Sequence, residues 1–173
     1  EVKHRSRSGT RESKLRTEVE RRIAASADAV VVSDHHERDA LALLYGAHPD
    51  KVHVITPGVD TKQFHPMDKL MAKHRLGLDG KHVLLFVGRL DPLKGIELLL
   101  QSVSALEDQS LVTLLIVGGG SHEADEIARL RLLAQELRIS ESVRFEGAVP
   151  HDELPLYYNA TDALVMPSYY ESF

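Results

Sequence analysis

The chain contains no cysteine, an absence that removes disulfides and thiolate metal sites from consideration. The same absence leads to the expectation of an intracellular, cytoplasmic protein. No apolar run approaches the roughly 18 to 20 residues that a membrane span needs, and the N-terminal stretch lacks the architecture of a signal peptide. Basic charge is in deficit too. With 21 Lys and Arg against 26 Asp and Glu, the formal net charge is −5, which gives no support for a nucleic-acid surface and favours a small ligand. Several chemical signatures are also missing. Ten histidines are present, yet His35, His36, His122 and His151 show no H-E-x-x-H or paired-ligand spacing, so no metal is expected. No G-x-S-x-G elbow occurs. Gly118-Gly119-Gly120 misses the G-x-G-x-x-G fingerprint because position 123 is Glu.

What remains is a chain of 173 residues, 43% hydrophobic and 27% charged, enough for one domain or one domain with part of another. It starts at Glu1 in a basic stretch (Lys3, Arg5, Arg7, Arg11) and stops at Phe173 after a tyrosine-rich loop, so it reads as an excerpt. Leu15, Val19 and Ile23 predict a helix ending near Ser26; Ala29 to Val32 reads as a buried strand; Leu41, Leu44 and Tyr45 mark a second helix closed by Gly46. A further apolar stretch, Val52 to Ile55, runs into Pro57-Gly58, the predicted domain boundary.

Beyond that boundary strands and helices alternate. Predicted strands at Val83–Val87, Leu111–Val117, Val143–Phe145 and Ala163–Met166 are separated by helical patterns around Ile96–Leu106, Ile127–Leu137 and Leu154–Tyr158. This alternation predicts an α/β fold with a parallel sheet, the strands in the order 3-2-1-4 and Val83–Val87 in the centre.

The stretch Phe86 to Gly95, "FVGRLDPLKG", joins the first of these strands to its helix and carries Arg89 and Lys94. Loops of this kind are where ligands bind in open α/β sheets. A planar guanidinium and a lysine point charge suit an anion such as a diphosphate.

Together with "VITPGVDTKQFHP" (Val54 to Pro66), "LLIVGGG" (Leu114 to Gly120), "VRFEGAVP" (Val143 to Pro150) and "ALVMPSYYESF" (Ala163 to Phe173), this stretch resembles the GT4 family of retaining glycosyltransferases. The N-terminal "EVKHR" and "LRTEVERRIAASADAVVVSD" are most similar to the branch of inositol-phosphate glycosyltransferases and sucrose-phosphate synthases. The resemblance implies a GT-B architecture with a Rossmann-like parallel sheet, incomplete at both ends. Residues 1–57 would be the remnant of an acceptor-binding domain and residues 58–173 part of the nucleotide-sugar donor domain.

It further implies transfer of a hexosyl group from a nucleotide diphosphate sugar, a UDP-sugar first, to a hydroxylated acceptor: a sugar, sugar phosphate or inositol phosphate. The nucleotide sugar is then a substrate, and no separate cofactor is expected. By the same resemblance Arg89 and Lys94 bind the donor diphosphate, with Gly88 letting the backbone approach. Glu171 meets hydroxyls of the transferred sugar, its partner glutamate falling past Phe173, and the backbone of Val149 meets the nucleotide base. Arg16 would contact the acceptor phosphate, although Arg16 and Glu20 are also spaced as an i,i+4 surface pair. No Asp-x-Asp is present, so the metal-dependent single-domain transferase class has no support. From a different class, a non-catalytic α/β nucleotide-binding or scaffold module stays open, because fold analogy alone does not assign activity.

Overall fold

The apolar runs form two parallel sheets in the computed structural model, which describes residues 14–169. The described residues divide into two units, 14–59 and Asp60–Tyr169.

In the first unit, helix α1 (Lys14–Ser26) is followed by strand β1 (Val30–Val32), helix α2 (His35–Tyr45) and strand β2 (Val52–Val54), with β1 and β2 in parallel register. The ends of α2 follow from its sequence. The carboxylate of Asp34 accepts the Glu37 N–H at 2.7 Å, and Gly46 closes the helix in the left-handed region. Ala24, Val32, Ala47 and Val52 form a small core on one face of the strand pair. Ala29 to Val32 was expected to be a buried strand. Instead Val31 points to the other face, where it is 62% exposed, because the residues that pack within this unit cover the alternate positions Val30 and Val32. Likewise Leu15, Val19 and Ile23, which mark the helical period of α1, lie on its exposed side.

The second unit holds helix α3 (Lys69–Arg75), strand β3 (His82–Val87), helix α4 (Ile96–Ser104), strand β4 (Val112–Val117), helix α5 (Ala124–Glu136), strand β5 (Val143–Gly147), helix α6 (Leu154–Ala160) and strand β6 (Ala163–Leu164). The four strands are parallel in the order β5-β4-β3-β6, so β3 is central, as its unbroken apolar run predicts. Alternate residues serve opposite layers. Phe86, Leu114 and Ile116 pack with Leu99, Leu100 and Val103 of α4 and Leu130 of α5, while Val83, Leu85, Leu115 and Val117 pack with Ala72 of α3 and with Tyr157 and Ala160 of α6. Each of these large side chains contributes about 1.5–3 kcal/mol on burial, and the sheet is thereby fixed from both sides.

Three details differ from the expectations. Helix α3 carries no apolar periodicity, since Leu70 and Met71 are exposed and only Ala72 is buried; its signal is the Asp68 cap, which accepts the Met71 N–H at 2.7 Å. Strand β6 stops at Leu164 rather than Met166. The Val165 N–H still donates to the Leu85 carbonyl, but Pro167 follows and has no N–H with which to continue the ladder. Helix α4 ends at Ser104, leaving Leu106 beyond it and partly exposed.

Candidate functional site

All four strands of the second unit point their carboxyl ends at one edge, and the loops leaving that edge are tied to one another. The Gly88 N–H donates to the Val117 carbonyl at 3.0 Å, and the Gly118 N–H donates to the Gly147 carbonyl at 2.7 Å. The Tyr169 N–H donates to the Leu93 carbonyl at 2.9 Å. Loops after β3, β4, β5 and β6 are thus held as one rim.

Arg89 is exposed on this rim, between Gly88 and the buried Leu90. The Leu90 side chain is part of the core, and its N–H donates to Glu123 Oε1 at 2.9 Å. The flanks of Arg89 are therefore fixed while its side chain faces solvent. Lys94 ends a 3-10 turn, Pro92–Lys94, that Asp91 starts: the Asp91 carboxylate accepts the Leu93 N–H at 3.1 Å, and the Lys94 N–H donates to the Asp91 carbonyl at 2.8 Å. Pro92 serves here as a turn former, since its missing N–H and fixed φ suit the first position of a helical turn. Gly95 follows as the N-terminal cap of α4, with no side-chain cap on that helix. Two cations and an uncapped helix start share one loop, an arrangement that suits a phosphate group.

The glycines around the rim have different reasons to be there. A Cβ on Gly88 would make ordinary van der Waals contact with the Phe86 ring at 3.4 Å and meet nothing closer. A Cβ on Gly118 would lie 1.8 Å from the Gly88 carbonyl oxygen, and one on Gly95 would lie 2.2 Å from the Pro167 carbonyl oxygen. Within the Gly118-Gly119-Gly120 tract, which fails as a dinucleotide fingerprint, Gly118 is thus a packing requirement between two loops.

Comparison with known proteins assigns this architecture. Residues 68–173 match the family described as glycosyl transferases group 1, and residues 2–63 match glycosyltransferase family 4. The chain belongs to the group 1 (GT4) glycosyltransferases. A D-inositol 3-phosphate glycosyltransferase of Frankia alni is 40% identical over 164 residues, 89% of this chain and 40% of that relative. Another from Acidothermus cellulolyticus is 40% identical over 159 residues, 87% of this chain and 35% of that relative. Among solved structures, sucrose-phosphate synthase from Thermosynechococcus elongatus has a TM-score of 0.82 at 32% identity, covering 97% of this chain and 41% of that one. HepE of Anabaena in complex with UDP and glucose has a TM-score of 0.81 at 22% identity, covering 100% of this chain and 45% of that one, and shares the fold. The chain spans about two fifths of the length of the curated relatives it matches.

The remaining predicted positions of this glycosyltransferase chain fall as follows. Val149 lies in the loop between β5 and α6, partly buried with its side chain packed against the core that holds Val83, Leu85 and Tyr157. Glu171 lies outside the described residues. Arg16 sits on an exposed part of α1, in the other unit, and its guanidinium Nε is 2.9 Å from Glu20 Oε1, the i,i+4 pair that its spacing allows. Among the described residues no group of three His, Cys, Asp or Glu is placed to hold a metal ion, and no helix is long and apolar enough to cross a membrane. Residue types alone did not single out Gly118, Gly95, Asp91 or Glu123; Asp91 acts through its local cap on the Leu93 N–H, and the other three through a contact distant in the sequence.

Proposed function

We propose that this chain is the donor-binding portion of a retaining hexosyltransferase that uses a nucleotide diphosphate sugar, a UDP-sugar first, and acts on an inositol-phosphate or sugar-phosphate hydroxyl in the cytoplasm. The curated relatives named as D-inositol 3-phosphate glycosyltransferases support the acceptor class, and the fold shared with a UDP-bound transferase supports the donor class. The observation that carries the reading is the position of Arg89 and Lys94 on one tied loop at the carboxyl end of the central strand.

In the proposed reaction the bond between the anomeric carbon and the diphosphate oxygen breaks, and that oxygen gains negative charge. The acceptor hydroxyl oxygen forms the new bond on the same face, and its proton passes to the departing diphosphate. Arg89 and Lys94 neutralise the developing charge, with Gly88 admitting the phosphates and the start of α4 adding its dipole. Glu171 and the Val149 backbone would hold the sugar and the base, and Arg16, leaving Glu20, the acceptor phosphate. The nucleotide sugar is consumed as a substrate, and the proposal includes no further cofactor.

A hydrogen bond to a charged group contributes about 1.5–3 kcal/mol, and every 1.36 kcal/mol is tenfold in rate. Arg89→Ala and Lys94→Ala in the full-length protein should therefore each lower kcat by about 10- to 150-fold and weaken nucleoside-diphosphate inhibition. Near-normal turnover in both variants would sink the assignment.

A further inference from the structure

Glu123 enters the sequence reading only as the residue that breaks the G-x-G-x-x-G spacing. In the structure its carboxylate joins the two loops of the rim that flank Arg89. Oε1 accepts the Leu90 N–H at 2.9 Å, the residue next to Arg89, and Oε2 accepts the Gly120 N–H at 2.9 Å in the loop after β4. The Glu123 N–H in turn donates to the Gly120 carbonyl at 3.0 Å, so the glutamate is itself anchored to the second loop. It ends the 3-10 turn Ser121–Glu123 from which α5 continues, and is thereby backed by a helix whose Leu130 is fully buried.

Each N–H has a carboxylate oxygen of its own, whereas an amide in the same place would offer one acceptor oxygen and turn its NH2 donors toward the other N–H. The Leu90 side chain is held in the core from the other direction. The peptide that follows Arg89 is thus clamped on its side chain and on its N–H.

We propose that Glu123 is a positioning residue for Arg89, setting the backbone from which the guanidinium reaches the departing diphosphate. This rests on the donor-site reading above. A misplacement of about 1 Å at a reacting centre is worth on the order of 10²-fold in rate, so the clamp acts on turnover without touching substrate.

The test is a double-mutant cycle in the full-length protein, with kcat and nucleoside-diphosphate inhibition measured for the parent, Glu123→Ala, Arg89→Ala and the pair, at a temperature well below every Tm. Glu123→Ala should lower kcat at least about tenfold in the parent and change it less than about twofold when Arg89 is already Ala, since coupled residues are non-additive. Glu123→Gln keeps the shape and one acceptor, and takes the place of Glu123→Ala in the cycle if that variant does not fold; its kcat should lie between the parent and Glu123→Ala. A rate loss that multiplies unchanged through the Arg89→Ala background overturns the inference and leaves the donor site standing. So does a normal kcat in folded Glu123→Ala beside an impaired Arg89→Ala. If Arg89→Ala turns over normally this inference fails, and if Lys94→Ala does so as well the donor-site reading fails with it.

Discussion

Gly118→Ala offers the sharpest test of how the rim is built, because three adjacent glycines differ in what a methyl group would meet. At Gly118 the new Cβ would stand 1.8 Å from the Gly88 carbonyl oxygen, so that oxygen must retreat by about 1.2 Å even to reach the 3.0 Å floor of real contacts. The atom in the way is backbone and has no rotamer to change. Gly118 also has φ of +134°, a conformation that alanine rarely adopts. Strain of about 1–3 kcal/mol and overpacking of about 1–3 kcal/mol together give a loss of about 2–6 kcal/mol. At Gly119 the Cβ would meet the tip of Leu90 at 2.8 Å, a flexible side chain, although φ is again positive. At Gly120 nothing lies within 4 Å and φ is −92°. Denaturant unfolding of the three alanine variants in the full-length protein should rank them Gly118 worst, Gly119 intermediate and Gly120 within about 1 kcal/mol of the parent. Because the displaced carbonyl belongs to the residue before Arg89, Gly118→Ala should also lower kcat under conditions where it remains folded. Equal stability for Gly118→Ala and Gly120→Ala would refute the contact between the loops.

Two further outcomes test other parts of the chain. Asp162 is held well below the usual carboxylate range: burial pushes its pKa up, but Lys69 at 2.5 Å, Lys73 at 2.6 Å and the Val83 N–H at 2.7 Å override that push. A depressed folded pKa gives stability that is fully present above the unfolded value near 3.9 and is lost as pH falls below it, so Asp162→Asn should destabilise the second unit by about 1–3 kcal/mol at neutral pH and flatten its acid unfolding curve; an unchanged curve would remove Asp162 as the cause. Arg16→Ala should raise KM for a phosphorylated acceptor about tenfold or more with the donor KM unchanged, since a hydrogen bond to phosphate is charge-assisted; identical KM for phosphorylated and unphosphorylated acceptors in parent and variant would remove Arg16 from the acceptor site.

Much of the second unit was legible because its strands are buried on both faces. Val83–Val87 and Leu114–Val117 read as unbroken apolar runs, since α4 and α5 cover one side and α3 and α6 the other. The first unit was less legible for the opposite reason: within it one face of β1 is covered, so the all-valine run suggests more burial than Val31 has. Helix α3 escaped notice because a seven-residue helix with one buried alanine has no period to read, and its cap residue is the whole of its signal. At the site, Arg89 and Lys94 were visible as charges in a strand-to-helix loop. The support beside Arg89 was not, because its partner is far away in sequence: Glu123 reaches back 33 residues to the Leu90 N–H.

That separation says what kind of information each level carries. A motif records which side chains meet a ligand, because their chemistry must match it: a guanidinium fork and an ammonium for phosphate oxygens. The hydrogen bonds that aim those side chains have no such constraint of type, and any acceptor with the right reach satisfies an N–H. Two of the ties between the loops at this rim, Gly88 to Val117 and Gly118 to Gly147, are backbone to backbone and leave no residue signature beyond small size. Glu123 is more constrained, because two N–H groups are met by its two oxygens, one each, and a carboxylate brings two acceptor oxygens and no donor. A carboxylate close to a proposed anion site is otherwise unfavourable, since like charges repel. Its presence there is accounted for by both oxygens being engaged by backbone donors, which draw its charge toward the loops.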